Sequence, residues 1–149
     1  IFLPLTPAAT TTEIAAERIL DEPLRVLAAE DNPVNQEVLR ALLGHLGLAP
    51  VIVSDGAQAV EAWSSAPWDL ILMDMQMPVM DGLTATRTIR RWEQEQGLPA
   101  VQIVALTALA LKEESARIFE AGCNAHMTKP LKRTTLLELL SAYEKTRAQ

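Results

Sequence analysis

A chain of 149 residues suits one domain with a terminal extension, and 49% hydrophobic against 21% charged residues places it among globular rather than disordered chains. The net charge of -6 argues against nucleic acid as a partner, because binding to phosphates relies on Lys and Arg to neutralise them. Cys123 is the only cysteine, so no internal disulfide or multi-cysteine metal site forms, and no run of about 18 apolar residues is present to insert into a membrane.

Ile1-Phe2-Leu3-Pro4-Leu5 has neither a basic leader nor a long apolar stretch and does not read as a signal peptide. Residues 4–12, rich in Pro, Thr and Ala, read as a linker, with a short helix expected over 13–20. Residues 1–23 are therefore expected to be the tail of a preceding segment, and 24–149 the domain itself.

From Leu24 onward, short apolar runs alternate with stretches of helical period, the pattern of an α/β fold with a parallel sheet. Strands are expected at 25–30, 49–54, 69–74, 101–106 and 125–128. Asn32 caps the first helix with Pro33 at its first position. Val34, Val38, Leu39, Leu42, Leu43 and Leu46 read as one apolar stripe, and Gly47 ends the helix. Further helices are expected at 56–64, 83–95, 112–121 and 135–146, the last opening on a Thr135-x-x-Glu138 capping box. The order is (βα)₅.

In such sheets ligands gather at the carboxyl ends of the strands. Those ends carry Glu30-Asp31, Asp74, Thr107 and Lys129-Pro130. Carboxylates, a hydroxyl and an amine in one crevice make a poor core but a sensible site for a divalent cation and a phosphoryl group. Three carboxylates within about 5 Å repel by on the order of 3 kcal/mol per pair at an effective dielectric of 20, which one lysine cannot neutralise. A hard cation with oxygen ligands resolves the conflict, and Mg²⁺ suits the inventory better than zinc.

The segments Leu27-Ala-Ala-Glu30-Asp31-Asn32-Pro33-Val34-Asn35, Asp69-Leu-Ile-Leu-Met-Asp74-Met-Gln-Met-Pro78-Val-Met-Asp81-Gly82, Ile103-Val-Ala-Leu-Thr107-Ala108 and Lys129-Pro130 resemble a response-regulator receiver domain, particularly the type found in hybrid sensor histidine kinases. The likeness covers residues 24–147 and implies a flavodoxin-like (βα)₅ fold with strand order 2-1-3-4-5. It also implies that Asp74 is the phosphorylated nucleophile, with Mg²⁺ held by Asp31, Asp74, the Gln76 carbonyl and, through a water, Glu30. Phosphoryl oxygens would meet Lys129, the Thr107 hydroxyl and main-chain N–H groups near Met75 and Ala108. A cis peptide is implied at Pro130. The implied partner is a histidine kinase phosphohistidine domain or a histidine phosphotransfer domain, in the cytoplasm, with a parent chain that can be membrane-anchored. Phe2-Leu3-Pro4-Leu5 resembles the closing strand of a kinase ATP-binding domain, which points to a hybrid kinase as that parent.

Blander roles stand beside these. Asp74 and Thr107 could be helix caps, Glu30 and Asp31 turn residues, and Lys129 a surface lysine. His126 occupies the position where many receivers carry an aromatic switch; a pivoting imidazole and a surface histidine both fit. Trp63, Trp68 and Trp92 read as packing residues, Pro78 and Gly82 as loop geometry, and Arg87, Arg90 and Arg91 as a solvated helix face. Gln76 and Leu109 fall where receivers tune hydrolysis. Two rival functions remain: an aspartate-nucleophile phosphatase, against which Gln76 stands where a second aspartate is usual, and a docking-only receiver. No Gly-rich nucleotide loop is present.

Overall fold

The computed structural model describes residues 24–108, 112–129 and 131–148, with side chains described to residue 141. The expected linker and short helix of residues 1–23, Leu109 and the Pro130 peptide lie outside the described residues. The elements run β1 (Val26–Ala29), α1 (Pro33–His45), β2 (Val51–Val53), α2 (Gly56–Ser65), β3 (Leu70–Asp74), α3 (Gly82–Gln96), β4 (Gln102–Thr107), α4 (Lys112–Ala121), β5 (Ala125–Thr128) and α5 (Arg133–Ala148). All five strands are parallel, in the order β2-β1-β3-β4-β5.

Strand parity sorts the core into two layers. Val26, Ala28, Leu70, Leu72, Val104, Leu106 and Met127 face one side, packed with Leu39 and Leu43 of α1 and Leu136 and Leu140 of α5. Leu27, Ala29, Ile71, Met73, Ile103 and Ala105 face the other, packed with Val60 and Trp63 of α2, Ile89 of α3 and Ile118 of α4. Extending the same alternation by one step beyond the apolar runs places Glu30, Asp74 and Lys129 on the α1/α5 side of the strand ends. Thr107, in parity with Ile103 and Ala105, falls on the opposite side.

Asn32 caps α1 through its side-chain oxygen, which accepts from the N–H groups of Val34 and Asn35 at 2.8 and 3.2 Å. Gly47, at φ 79°, closes the helix end, its N–H on the Gly44 carbonyl. The expected apolar stripe is narrower than its sequence suggests. Leu39, Leu43 and Leu46 are buried, whereas Val34 and Val38 are 70% and 40% exposed. At roughly 100° per residue those two valines sit about 105° and 145° around the helix from the centre of that leucine face.

Two further expectations are corrected. In α5 the N–H of Leu136 donates to the Lys132 carbonyl at 3.0 Å. The helix thus begins ahead of Thr135, and the Thr135–Glu138 pair lies within it rather than at its cap. Arg90 is not part of a solvated face: its guanidinium donates to the Gly122 carbonyl at 2.9 Å, to Glu93 at 2.9 Å and to the Asn124 side chain at 2.8 Å. Glu93 is buried and also accepts the Val101 N–H at 2.8 Å. This ties α3 to the start of β4 and to the loop between α4 and β5.

Removing the Glu93 carboxylate strands a guanidinium and a buried N–H at once. Glu93→Ala is expected to cost about 2–3 kcal/mol in urea unfolding, far more than a surface Glu→Ala change such as Glu37→Ala.

Candidate functional site

Glu30 leaves β1 with its carboxylate turned inward, and the N–H of Asn32 donates to its Oε2 at 3.1 Å. The cap residue of α1 therefore has a second task. Gln36, one turn into α1, donates from its side chain to the Glu30 carbonyl at 2.6 Å and fixes the strand end. In the sequence Gln36 is marked only as a polar residue one turn beyond the Asn32 cap.

On β3 the Asp74 carboxylate is almost wholly buried, 4% exposed as a residue, and its Oδ1 accepts the Gln76 N–H at 3.2 Å. The following loop returns closely enough that only glycine fits at position 82. A Cβ there would overlap the Asp74 carbonyl and the Met75 side chain. Asp81 caps α3 through the Thr84 N–H at 2.8 Å. The Asp81-Gly82 pair thus fixes the loop behind the carboxylate.

Lys129, just beyond β5, reaches past β4 to both acids, with Nζ 2.8 Å from Glu30 Oε1 and 3.1 Å from Asp74 Oδ2. Its own N–H donates to the Thr107 carbonyl at 2.7 Å, so the lysine backbone is docked on the end of β4. Asp31 is exposed at the mouth. Carboxylate oxygens of Glu30, Asp31 and Asp74 lie within 4.8 Å of one another, a group that can hold a metal ion through oxygen donors alone. Gln76, Thr107, Ala108 and Lys129 complete a cleft of about 490 Å³ around them.

The electrostatics follow from burial and from Lys129. Burial pushes the Asp74 carboxyl up to about 6, with help from the Glu30 charge, and the Gln76 N–H and Lys129 offset this only in part. Burial acts the same way on Glu30, but Lys129 and the Asn32 N–H outweigh it and hold that carboxyl below its ordinary value. Burial pulls Lys129 down, but the two carboxylates more than compensate, so the ammonium keeps its charge.

Met75 lies differently from the other phosphate-contact candidates: its N–H donates to the Leu106 carbonyl at 3.0 Å and its side chain is buried. The main-chain donor at the Asp74 carboxylate belongs to Gln76 instead. His126 stands apart from the cleft. It is half-buried, edge-on to Phe119 at 5.6 Å between ring centroids, with Nε2 3.4 Å from Ser115 Oγ. A second cleft, of about 500 Å³, opens at the other end of the strands beside Trp63, Trp68 and Pro99, and Asp69 is the one ionisable side chain lining it.

The raised pKa of Asp74 sets a sign for stability. The folded chain retains a proton that the unfolded chain releases near 3.8, so this group's contribution is full below that value and is lost as pH rises toward about 6. With divalent ions chelated, Asp74→Asn is therefore expected to be more stable than the unaltered chain at pH 7, by about 2 kcal/mol, with the gap closing below pH 4. Thermal unfolding across that range measures it.

Residues 26–141 match the family model of the response regulator receiver domain. The sensor protein GacS of Pseudomonas syringae is 40% identical over 116 residues, which is 78% of this chain and 13% of GacS. Hybrid signal transduction histidine kinase I of Dictyostelium discoideum is 37% identical over 134 residues, 87% of this chain and 8% of that protein. This chain therefore spans only a small part of these relatives. Among solved structures, the receiver domain of the sensor histidine kinase PA1611 from Pseudomonas aeruginosa, with magnesium coordinated in its active-site cleft, is 41% identical at a TM-score of 0.74, over 83% of this chain and 99% of that one. The receiver domain of Ssk1, crystallised with the histidine phosphotransfer protein Ypd1 of Saccharomyces cerevisiae, matches at 30% identity and a TM-score of 0.81, over 85% and 92% of the two chains. The fold of five parallel strands, the acidic cleft at their carboxyl ends and these matches agree: the chain belongs to the response regulator receiver domain family.

Proposed function

We propose that this chain is the phosphoacceptor module of a phosphorelay, and of a hybrid histidine kinase in particular, in which Asp74 takes a phosphoryl group from a phosphohistidine. The observation that carries the reading is the placement of the Lys129 ammonium 2.8 and 3.1 Å from Glu30 and Asp74 at the mouth of a three-carboxylate cluster. A structural ion pair needs one acid; here a cation and a second acid flank a buried carboxylate.

Mg²⁺ fits the donor set, which is all oxygen and open on one side: Asp31, Asp74 and the Gln76 carbonyl would hold it, with Glu30 acting through a water. When bound it would neutralise the acidic cluster and polarise the phosphoryl oxygens. An Asp74 oxygen attacks phosphorus, the P–O bond forms as the P–N bond to imidazole breaks, and the product is an acyl phosphate. Lys129 exchanges its carboxylate partner for a phosphoryl oxygen. The Thr107 hydroxyl and the N–H groups of Gln76 and Ala108 accommodate the others. The added charge then favours a second arrangement of the β4–α4 side, where His126 and Phe119 stand, as the signal to a partner.

The partner in this reading is a kinase phosphohistidine domain or a histidine phosphotransfer domain. No helix among the described residues is long and apolar enough to cross a membrane. The buried free thiol of Cys123 suits a reducing, cytoplasmic setting for this module.

Incubation with acetyl phosphate and Mg²⁺ is expected to leave a hydroxylamine-labile adduct on Asp74, absent in Asp74→Ala and with a chelator. Lys129→Ala should slow its formation at least about 100-fold, the scale of losing one charged transition-state contact. Undiminished labelling in Asp74→Ala would contradict the assignment, and sustained turnover of a phosphate monoester would favour a phosphatase.

A further inference from the structure

The second cleft, at the amino ends of the strands, has no part in the phosphoryl chemistry. Its volume of about 500 Å³ is that of a ligand pocket rather than of a packing defect. Trp63 and Trp68 line it from the end of α2 and the approach to β3, and Leu98 and Pro99 from the approach to β4. Leu98 is 46% exposed, Pro99 is exposed and Trp68 is half-buried, so the wall is apolar and open. Asp69 is the one ionisable side chain among its described lining residues, and its Oδ2 already accepts the Arg25 N–H at 2.9 Å. A concave surface of this kind suits an apolar occupant.

The chain itself supplies one. The described residues begin at Leu24, at the same end of the sheet. Leu24 is buried in the α1/α5 layer, and Arg25 turns the other way, its guanidinium 5.2 Å from the centre of the Trp68 ring at the cleft lip. Main chain joins the same two points, the Asp69 N–H donating to the Arg25 carbonyl at 2.9 Å. Residues 1–23 therefore lead into the domain beside the cleft. In the helix expected over 13–20, Ala15, Ala16, Ile19 and Leu20 fall within an arc of about 140°, with Glu17 and Arg18 outside it. So short a helix does not hold in water without a surface to pack on. Leu20 lies five residues before Arg25, a reach of at most about 17 Å in extended chain. A segment tethered this closely is present at an effective concentration of about millimolar, so it outcompetes a second copy of equal affinity.

We propose that the cleft between Trp68 and Leu98 is the docking site of this chain's own segment 13–20, with Ile19 and Leu20 as the side chains that enter it. The acidic cleft lies at the opposite strand ends, so the docked segment leaves the acceptor site open and fixes the direction from which the chain enters the domain. The test compares the full chain with Ile19→Asp/Leu20→Asp, with Leu98→Asp and with the triple variant, by amide hydrogen exchange at residues 64–69 and 98–101 and by acrylamide quenching of tryptophan. The double variant and Leu98→Asp should each speed exchange there about tenfold and raise quenching, the scale of losing buried apolar contacts. The triple variant should do no more than either, because all three substitutions break one contact. Glu17→Ala, outside the apolar arc, should change neither readout. Exchange and quenching that ignore the Ile19→Asp/Leu20→Asp change, effects that add in the triple variant, an equal effect from Glu17→Ala, or protection that fades on dilution, the mark of a second copy, would each overturn the proposal.

Discussion

The ammonium of Lys129 between Glu30 and Asp74 is the contact on which the site depends. Without it, two buried carboxylates would face each other across a few ångströms, a repulsion of several kcal/mol at the dielectric of a protein cleft. With it, the two acids part company: Glu30 stays ionised while Asp74 keeps a proton to about 6. A cation entering the cleft relieves the same repulsion from the open side, where Asp31 stands exposed. Three carboxylates against one ammonium leave the cluster net negative, and the proposed metal would offset that charge.

The scaffold achieves this with the alternation of its strands. Each of β1, β3 and β5 contributes a polar residue two positions past an inward apolar one of the same layer, so Glu30, Asp74 and Lys129 share a side without any special loop. Close backbone approach does the rest. Gly82 admits the loop against Asp74, Gly56 admits it against Met80, and the Asn32 and Asp81 caps set the entry angles of the helices on either flank.

Most of this was legible in the residues because it depends on short-range rules. Apolar runs of strand length located every strand to within two residues, and Asn32-Pro33 located the start of α1. The four strand-end signals Glu30-Asp31, Asp74, Thr107 and Lys129 pointed to one edge. What sequence could not show was direction in space. Val34 and Val38 counted as apolar in a linear pattern, yet lie off the buried arc of α1. Arg90 read as a surface arginine because its partners, Gly122 and Asn124, lie more than thirty residues away. Val79, at φ 69° in the loop behind Asp74, has no local signature either, since glycine or asparagine would be the residue to expect there.

The most direct test of the charge arrangement is amide and lysine side-chain NMR during addition of Mg²⁺ and then beryllofluoride, a tetrahedral phosphoryl mimic. The account predicts that Asp31 and Gln76 respond to the metal alone, and that Thr107, Ala108 and the Lys129 ammonium respond only when the mimic follows. A Lys129 signal that never changes, while the mimic binds, would contradict it.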